Sequence, residues 1–434
     1  MLKNATLNSI DRALMAAVRL LSAVLIARVL GPEGYGIFQF ALTASSIIAI
    51  LADFGFNIAN NYLASRYPHV RAELLGNTLI FVGTVGIIAA LLSAIAISAF
   101  RELSFRELPK TYLLWIPLSS LIQAVQISLI GLVYGASRFK EKVIGTSLHY
   151  GLFLVTVVLL ALSGTLAINN LMLLWIIGLS TSSLYWITVL LKGGKPQWDK
   201  ATLKKQLSYG LSSYMYNAAH ILNFRLDMFF VAHFLKAEHV GWYSLATTIT
   251  EGFLYLPKAL SNVVLTETAT QLKNGIKPNH PLIYKTSVLI IGTAIMITAI
   301  LTPFVLPIVF SDSFIPAIAP LLLLLPGTFA MALGIIAAYH LFGIGKAFQP
   351  SLAALITTVI TVVLDLLLIP WLGIPGAALA STFAYTAFLI ICLYFVLMEV
   401  DIGVKALLIP TKQDLKILLT IAKKVWYHGY HPFV

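Results

Sequence analysis

The stretch Ala27-Arg28-Val29-Leu30-Gly31-Pro32-Glu33-Gly34-Tyr35-Gly36-Ile37-Phe38 is a tight Gly/Pro turn set between two apolar segments. It returns, altered, as Ala232-His233-Phe234-Leu235-Lys236-Ala237-Glu238-His239-Val240-Gly241-Trp242-Tyr243. A shift of 205 residues (232 − 27) lays Ala27 on Ala232, Leu30 on Leu235, Glu33 on Glu238 and Gly36 on Gly241. The same shift carries Ala41 to Ala246 and Thr43 to Thr248. The chain therefore reads as a duplication. Membrane proteins with two similar halves characteristically move something between them.

Composition supplies the membrane. Of 434 residues, 59% are hydrophobic and 11% charged, with a mean hydropathy of +0.91. Soluble domains carry roughly 25% charged residues. Asn77–Phe100 and Thr286–Phe310 contain no Asp, Glu, Lys or Arg, and apolar runs of about 18 residues or more read as spanning helices. The expectation is an all-α, polytopic membrane protein of twelve transmembrane helices. They are placed at 13–30, 37–59, 78–100, 112–134, 144–163, 170–191, 209–234, 241–262, 284–310, 316–343, 352–370 and 376–398.

The net charge of +12 reads as topology and not as nucleic-acid binding, because the basic residues sit in short connections. With the N-terminus inside, 21 of the 29 Lys and Arg fall on inner segments and 4 (Arg101, Arg106, Lys110, Lys236) on outer loops. That bias predicts a multi-pass protein of the cell (inner) membrane with both termini cytoplasmic. The single cysteine, Cys392, lies in an apolar span, so no disulfide framework and no cysteine metal cluster is expected.

The expected organisation is an N-terminal six-helix bundle (1–195), a cytoplasmic linker (196–208), a C-terminal six-helix bundle (209–398) and a basic tail (399–434). The bundles form a parallel pseudo-two-fold repeat. Val133-Tyr134-Gly135-Ala136-Ser137-Arg138 supports it by matching Leu341-Phe342-Gly343-Ile344-Gly345-Lys346. In the tail, Leu415, Leu418, Ala422 and Val425 recur at helical spacing among lysines, the pattern of an interfacial helix on an anionic leaflet.

Ionisable side chains inside spans cost several kcal/mol, roughly 2.5–3.5 on insertion scales, so they mark candidate functional positions. They are Arg19, Arg28, Asp53, Arg225, Asp227, Glu251, Lys258 and Asp365. Several sit on polar stripes. Gln39, Thr43, Ser46, Asp53 and Asn57 form one; Ser213, Asn217, His220 and Asp227 another; Ser244, Thr248, Glu251, Tyr255, Lys258 and Asn262 a third. A face polar along most of a span must look at protein or water. The 205-residue shift also puts Asp53 on Lys258 and Asn57 on Asn262.

The reading is a hydrated cavity lined by these stripes, against the alternative that they are buried pairs locking helices together. Arg19, Arg28, Arg225 and Lys258, with Asn57, Asn217 and Tyr255, suit an anionic substrate, since guanidinium binds phosphate bidentately and stays charged. Asp53, Asp227, Glu251 and Asp365 suit uptake of H⁺ or Na⁺. His149, His220, His233 and His340 lack metal-ligand spacing and read as polar packing. No P-loop, Rossmann glycine pattern or nucleophile elbow occurs. Neither an enzyme nor a cofactor is expected, beyond a coupling H⁺ or Na⁺.

Arg19-Leu20-Leu21-Ser22 through the Gly31–Gly36 turn resembles the polysaccharide biosynthesis transporters. So do Arg225-Leu226-Asp227, Val240-Gly241-Trp242-Tyr243 and Leu256-Pro257-Lys258-Ala259-Leu260. These include the Wzx-type O-antigen flippases of the multidrug/oligosaccharidyl-lipid/polysaccharide exporter superfamily, and the resemblance runs over about 1–400. It implies movement of a polyprenyl-diphosphate-linked oligosaccharide from the inner to the outer leaflet by alternating access, for cell-surface polysaccharide assembly. It also implies that the family's cavity arginines and aspartate fall on Arg19, Arg28, Arg225 and Asp227. Membrane lipid, a polysaccharide polymerase and a chain-length regulator are the partners it suggests. An H⁺- or Na⁺-coupled multidrug antiporter of the same superfamily is the alternative. A non-transporting scaffold or polymerase-like enzyme is a more distant one, since no outer loop exceeds about a dozen residues.

Overall fold

The computed structural model describes residues 2–104, 108–275, 278, 280–400, 403–411 and 414. The described residues form helices and connecting turns, with no strand among them. The interfacial helix expected at 415–430 lies outside them. Nine described helical runs are long and apolar enough to cross a membrane, at 15–53, 68–99, 112–135, 139–162, 168–191, 281–310, 312–343, 348–372 and 374–399.

The difference from twelve has a physical origin. The first expected span and most of the second, to Asp53, belong to one helical run, α1 (Leu2–Asp53), kinked at Gly31 where φ is 68° and ψ −175°. Pro32 restarts the helix there, its missing N–H falling where a first turn has no use for one. The seventh and eighth expected spans carry polar stripes and are each broken. The seventh becomes α8 (Lys200–Asn223) and α9 (Leu226–Phe234), interrupted at Phe224-Arg225. The eighth becomes α10 (Ala237–Gly252) and α11 (Tyr255–Lys273), interrupted at Phe253-Leu254.

The remaining helices of the N-terminal part are α2 (Phe56–Arg66), α3 (Arg71–Asn77), α4 (Gly83–Ser104), α5 (Tyr112–Gly135), α6 (Phe139–Leu162) and α7 (Ile168–Leu191). Thr78–Val82 between α3 and α4 is a π-helical turn. Towards the C-terminus come α12 (Pro281–Phe310), α13 (Ile318–Gly343), α14 (Phe348–Leu372), α15 (Ile374–Glu399) and the short α16 (Val404–Leu408).

The duplication is visible in local geometry. α5 ends with Arg138 N–H donating to the Val133 carbonyl at 3.0 Å, across left-handed Ser137 (φ 57°). α13 ends with Lys346 N–H donating to Leu341 at 2.9 Å, across left-handed Gly345 (φ 82°). Both are the six-to-one closure that satisfies the last free carbonyls of a helix. α5 packs on α2, and α13 packs on α11, through the matched glycines Gly135 and Gly343.

Contacts divide the chain into two compact units, at points other than the repeat boundary. The first comprises Met1–Leu245, Leu306–Pro316 and Ile369–Ile374; the second comprises Ala246–Val305, Ala317–Leu368 and Pro375–Val434. In the first, α5 packs against α1, α2, α4 and α7, and α6 against α1 and α7. Leu74, Leu75, Leu129, Leu132, Val133 and Trp186 fill one of its cores. The linker expected at 196–208 is helical from Lys200, because Asp199 caps α8 by accepting the Thr202 N–H at 2.7 Å.

Candidate functional site

The two copies of the Gly/Pro turn meet inside the first unit. A Cβ on Gly36 would stand 2.0 Å from the Ala237 carbonyl oxygen and 2.7 Å from the Gly241 nitrogen. A Cβ on Gly241 would stand 2.0 Å from the Pro32 carbonyl oxygen. Since Pro32 maps to Ala237 under the repeat, the contact is reciprocal. Absence of a side chain lets the two backbones touch. Rings brace it: buried Tyr35 lies edge-on to buried Phe314 at 6.0 Å, and the half-buried Trp242 indole N–H donates to the Ser313 carbonyl at 2.8 Å.

Arg28, one turn before this contact, donates from Nε to the Val309 carbonyl at 2.7 Å and from a terminal nitrogen to that of Ile308. These carbonyls close the last turn of α12, where a cation meets the negative end of the helix. Arg28 is thus engaged as a helix cap.

Asp53 is buried at the end of α1. Its carboxylate accepts the Asn57 N–H at 3.2 and 3.3 Å and a hydrogen bond from the Ser128 hydroxyl. Asn57 Nδ2 donates to the Ile127 carbonyl at 2.5 Å. Together they tie the start of α2 to α5. Between them Phe54 (φ 49°) and Gly55 (φ 77°) make a left-handed break, and a Cβ on Gly55 would lie 2.4 Å from the Gly210 carbonyl oxygen. The break explains why the expected match with Lys258 fails. Leu254 maps to position 49 under the shift (254 − 205), so the second copy interrupts its helix about a turn and a half earlier. Asp53 is consequently buried within a break, and Lys258 is exposed on continuous α11.

Asp227 is buried near the start of α9; the Tyr243 hydroxyl donates to one carboxylate oxygen at 2.5 Å and the Met228 N–H to the other at 2.7 Å. Arg225, half-buried, stands at the α8–α9 break. In the second unit Glu251 is half-buried at the end of α10, Tyr255 is exposed on the first turn of α11, and Asp365 is buried on α14, on the same helix as buried Thr357 and Thr361. The side chains of Ser213, Asn217 and His220 lie outside the described ones. Within the first unit, Asp53 with Asn57 and Ser128 forms one hydrogen-bonded set, and Asp227 with Tyr243 another.

Arg19 has companions near it, among them His149, which sequence reading assigned to polar packing. It is exposed on α1, with its guanidinium 6.0 Å from the centre of the Tyr150 ring. The Tyr150 ring stacks on His149 at 4.5 Å, and His149 and Trp175, 3% and 9% exposed, have their rings 4.4 Å apart. Gly178 on α7 makes room for the imidazole, since a Cβ there would be 2.7 Å from His149 Cδ2. Among the described residues, His149 Nε2 and the Trp175 indole nitrogen have no hydrogen-bond partner. The i, i+4 stripe Gly145, His149, Phe153, Val157 marks a buried face of α6, but nothing in the sequence says that it meets Arg19.

A buried amide network was also unforeseen. Gln206 on α8 donates to Asn60 Oδ1 at 2.8 Å and accepts from Asn77 Nδ2 at 3.0 Å, and Asn60 donates to Thr78 at 2.9 Å. Asn77 also holds the preceding connection, donating to the Asp199 carbonyl at 2.9 Å and accepting its N–H at 3.1 Å. The π-helical turn begins at Thr78, as such turns do where a helix is bent to a local purpose.

A family model described as polysaccharide biosynthesis protein matches residues 1–254. No curated protein matches the sequence. Among solved structures, the chain is similar to the lipid II flippase MurJ in an inward closed conformation: TM-score 0.72, 18% identity, 98% of this chain and 93% of that one. It is similar to an inward-facing multidrug resistance MATE family transporter of the MOP superfamily: TM-score 0.71, 16% identity, 88% and 94%. It is also similar to a MOP superfamily transporter from Pyrococcus furiosus described as having a binding pocket of reverse polarity: TM-score 0.62, 15% identity, 90% and 92%. At these identities the likeness shows the fold.

Proposed function

The chain belongs to the polysaccharide biosynthesis protein family and is a multi-pass membrane transporter of the flippase type, not an enzyme; from that premise we propose that its substrate is a polyprenyl-diphosphate-linked oligosaccharide. The oligosaccharide is carried from the inner to the outer leaflet of the cytoplasmic membrane by alternating access, for cell-surface polysaccharide assembly. The observation that carries this reading is the family match over residues 1–254, within which the intramembrane arginines Arg19 and Arg225 fall.

A polyprenyl chain is at home among lipid tails, whereas a diphosphate and its glycan are not. The protein's task is to shelter the polar end, and permanently charged guanidinium groups are the side chains suited to a diphosphate. In this reading Arg19 and Arg225 hold the headgroup, with Lys258, Asn57, Asn217 and Tyr255 along its path. Arg28 joins them only in a conformation that frees it from the end of α12. Asp53, Asp227, Glu251 and Asp365 exchange H⁺ or Na⁺ with the cycle, and the termini face the cytoplasm. A polymerase and a chain-length regulator act on the delivered glycan.

The test is complementation of a strain lacking the gene, reading surface glycan and membrane abundance together. Arg19→Ala and Arg225→Ala should each abolish export at normal abundance. Normal export in Arg225→Ala removes that residue from the mechanism. Restored drug resistance in an efflux-deficient strain, without any effect on glycan, replaces the reading with the antiporter.

A further inference from the structure

We infer that Arg19, His149 and Trp175 form an oxyanion seat between α1, α6 and α7, and that an anionic oxygen of the transported headgroup occupies it; this rests on the flippase reading above.

The groups that meet there are donors. Trp175 offers an indole N–H and can only donate, and Arg19 offers a planar fork of N–H groups. His149 donates from Nε2 in the tautomer that protonates it. Arg19 lies 6.0 Å from the centre of the Tyr150 ring, which stacks on the His149 imidazole at 4.5 Å. A donor-rich, cationic cluster selects for phosphate or carboxylate over neutral or cationic cargo.

Burial makes the donors informative. His149 is 3% and Trp175 9% exposed, yet Nε2 and the indole nitrogen are unpartnered among the described residues. An orphaned buried polar atom destabilises a fold, and two in contact are a standing cost that a packing role would avoid. Phenylalanine would fill the same space without that cost. The rings are fixed in place: Trp175 packs edge-on against Phe38, Phe153 and Tyr150 at 6.5, 5.3 and 5.7 Å. Their aim is therefore set before a ligand arrives, which lowers the ordering cost of binding. Arg19, exposed and lying over Tyr150, is the member able to meet an incoming anion first.

The experiment titrates the full-length protein in nanodiscs with farnesyl diphosphate, and separately with glucuronate, comparing wild type with Trp175→Phe, His149→Phe and Arg19→Lys. Thermal unfolding checks that each variant is folded. Loss of one hydrogen bond to a charged ligand weakens binding roughly tenfold, and that is the expected effect of each aromatic substitution on farnesyl diphosphate. Exposed Arg19→Lys, which keeps the charge and loses the fork, decides the matter if a buried variant does not fold; it too should weaken binding. The same pattern with glucuronate in place of farnesyl diphosphate supports the seat and assigns the oxyanion to an acidic sugar. Farnesyl diphosphate binding that is equal in wild type and all folded variants overturns the inference. So does wild type that binds neither probe. Both of those results leave the flippase reading standing, which is judged by export and flipping.

Discussion

Adding one methyl group at Gly36 should cost the protein the contact between its two repeated turns. In Gly36→Ala the new carbon would lie 2.0 Å from the Ala237 carbonyl oxygen, where a carbon–oxygen contact needs about 3.3 Å. The turns must separate by roughly 1.3 Å, because the obstacle is backbone and no side chain can swing away. Overpacking of this kind costs about 1–3 kcal/mol, and the backbone obstacle places Gly36→Ala at the upper end. Gly241→Ala meets the Pro32 carbonyl oxygen at the same 2.0 Å and should cost as much. One separation relieves both clashes, so the double variant should lose little more than either single one, leaving a coupling of about 2 kcal/mol. Steric-trap or SDS-driven unfolding of the four proteins closes the cycle. Additive losses, or a single variant within about 0.5 kcal/mol of wild type, would refute the reciprocal contact.

Other positions give simpler expectations. Gln206→Ala strands Asn60 and Asn77 in a buried network and should destabilise by about 2–4 kcal/mol, read as a lower unfolding midpoint. Gly55→Ala imposes a Cβ both on a left-handed residue (φ 77°) and 2.4 Å from the Gly210 carbonyl oxygen; it should be more damaging than Gly252→Ala, where a Cβ meets nothing, in the same assay. Hydrogen bonds from Thr202 hold the Asp199 carboxyl below its ordinary 3.8. Its capping contribution is therefore complete above about pH 4 and fades as pH falls through the lowered value. Asp199→Asn should cap the helix without that pH dependence, measured by unfolding between pH 3 and 6.

The duplication, the helical class and the membrane were legible because hydropathy runs and glycine spacing are local signals. The paired helix ends at Arg138 and Lys346 reproduce the repeat bond for bond. What was not legible depends on where a helix breaks. Asp53 and Lys258 match by count, but the second copy breaks its helix earlier, so one is buried and the other exposed. Nor could spacing show that Arg28 reaches carbonyls some 280 residues away, or that the rings of His149 and Trp175 meet at 4.4 Å. Those facts belong to packing between distant segments. Polar stripes told which spans were unusual, and the structure shows α8 to α11 interrupted where those stripes run.

The most direct measurement is flipping itself. The purified protein is reconstituted into vesicles carrying a polyprenyl-diphosphate-linked oligosaccharide on one leaflet, and an impermeant glycosidase added outside reports the glycan on the outer surface. Active protein should bring the inner pool within reach of the enzyme, and Arg19→Ala and Arg225→Ala should leave it protected. An inner pool that stays protected with wild-type protein, under imposed H⁺ and Na⁺ gradients of either sign, contradicts the account.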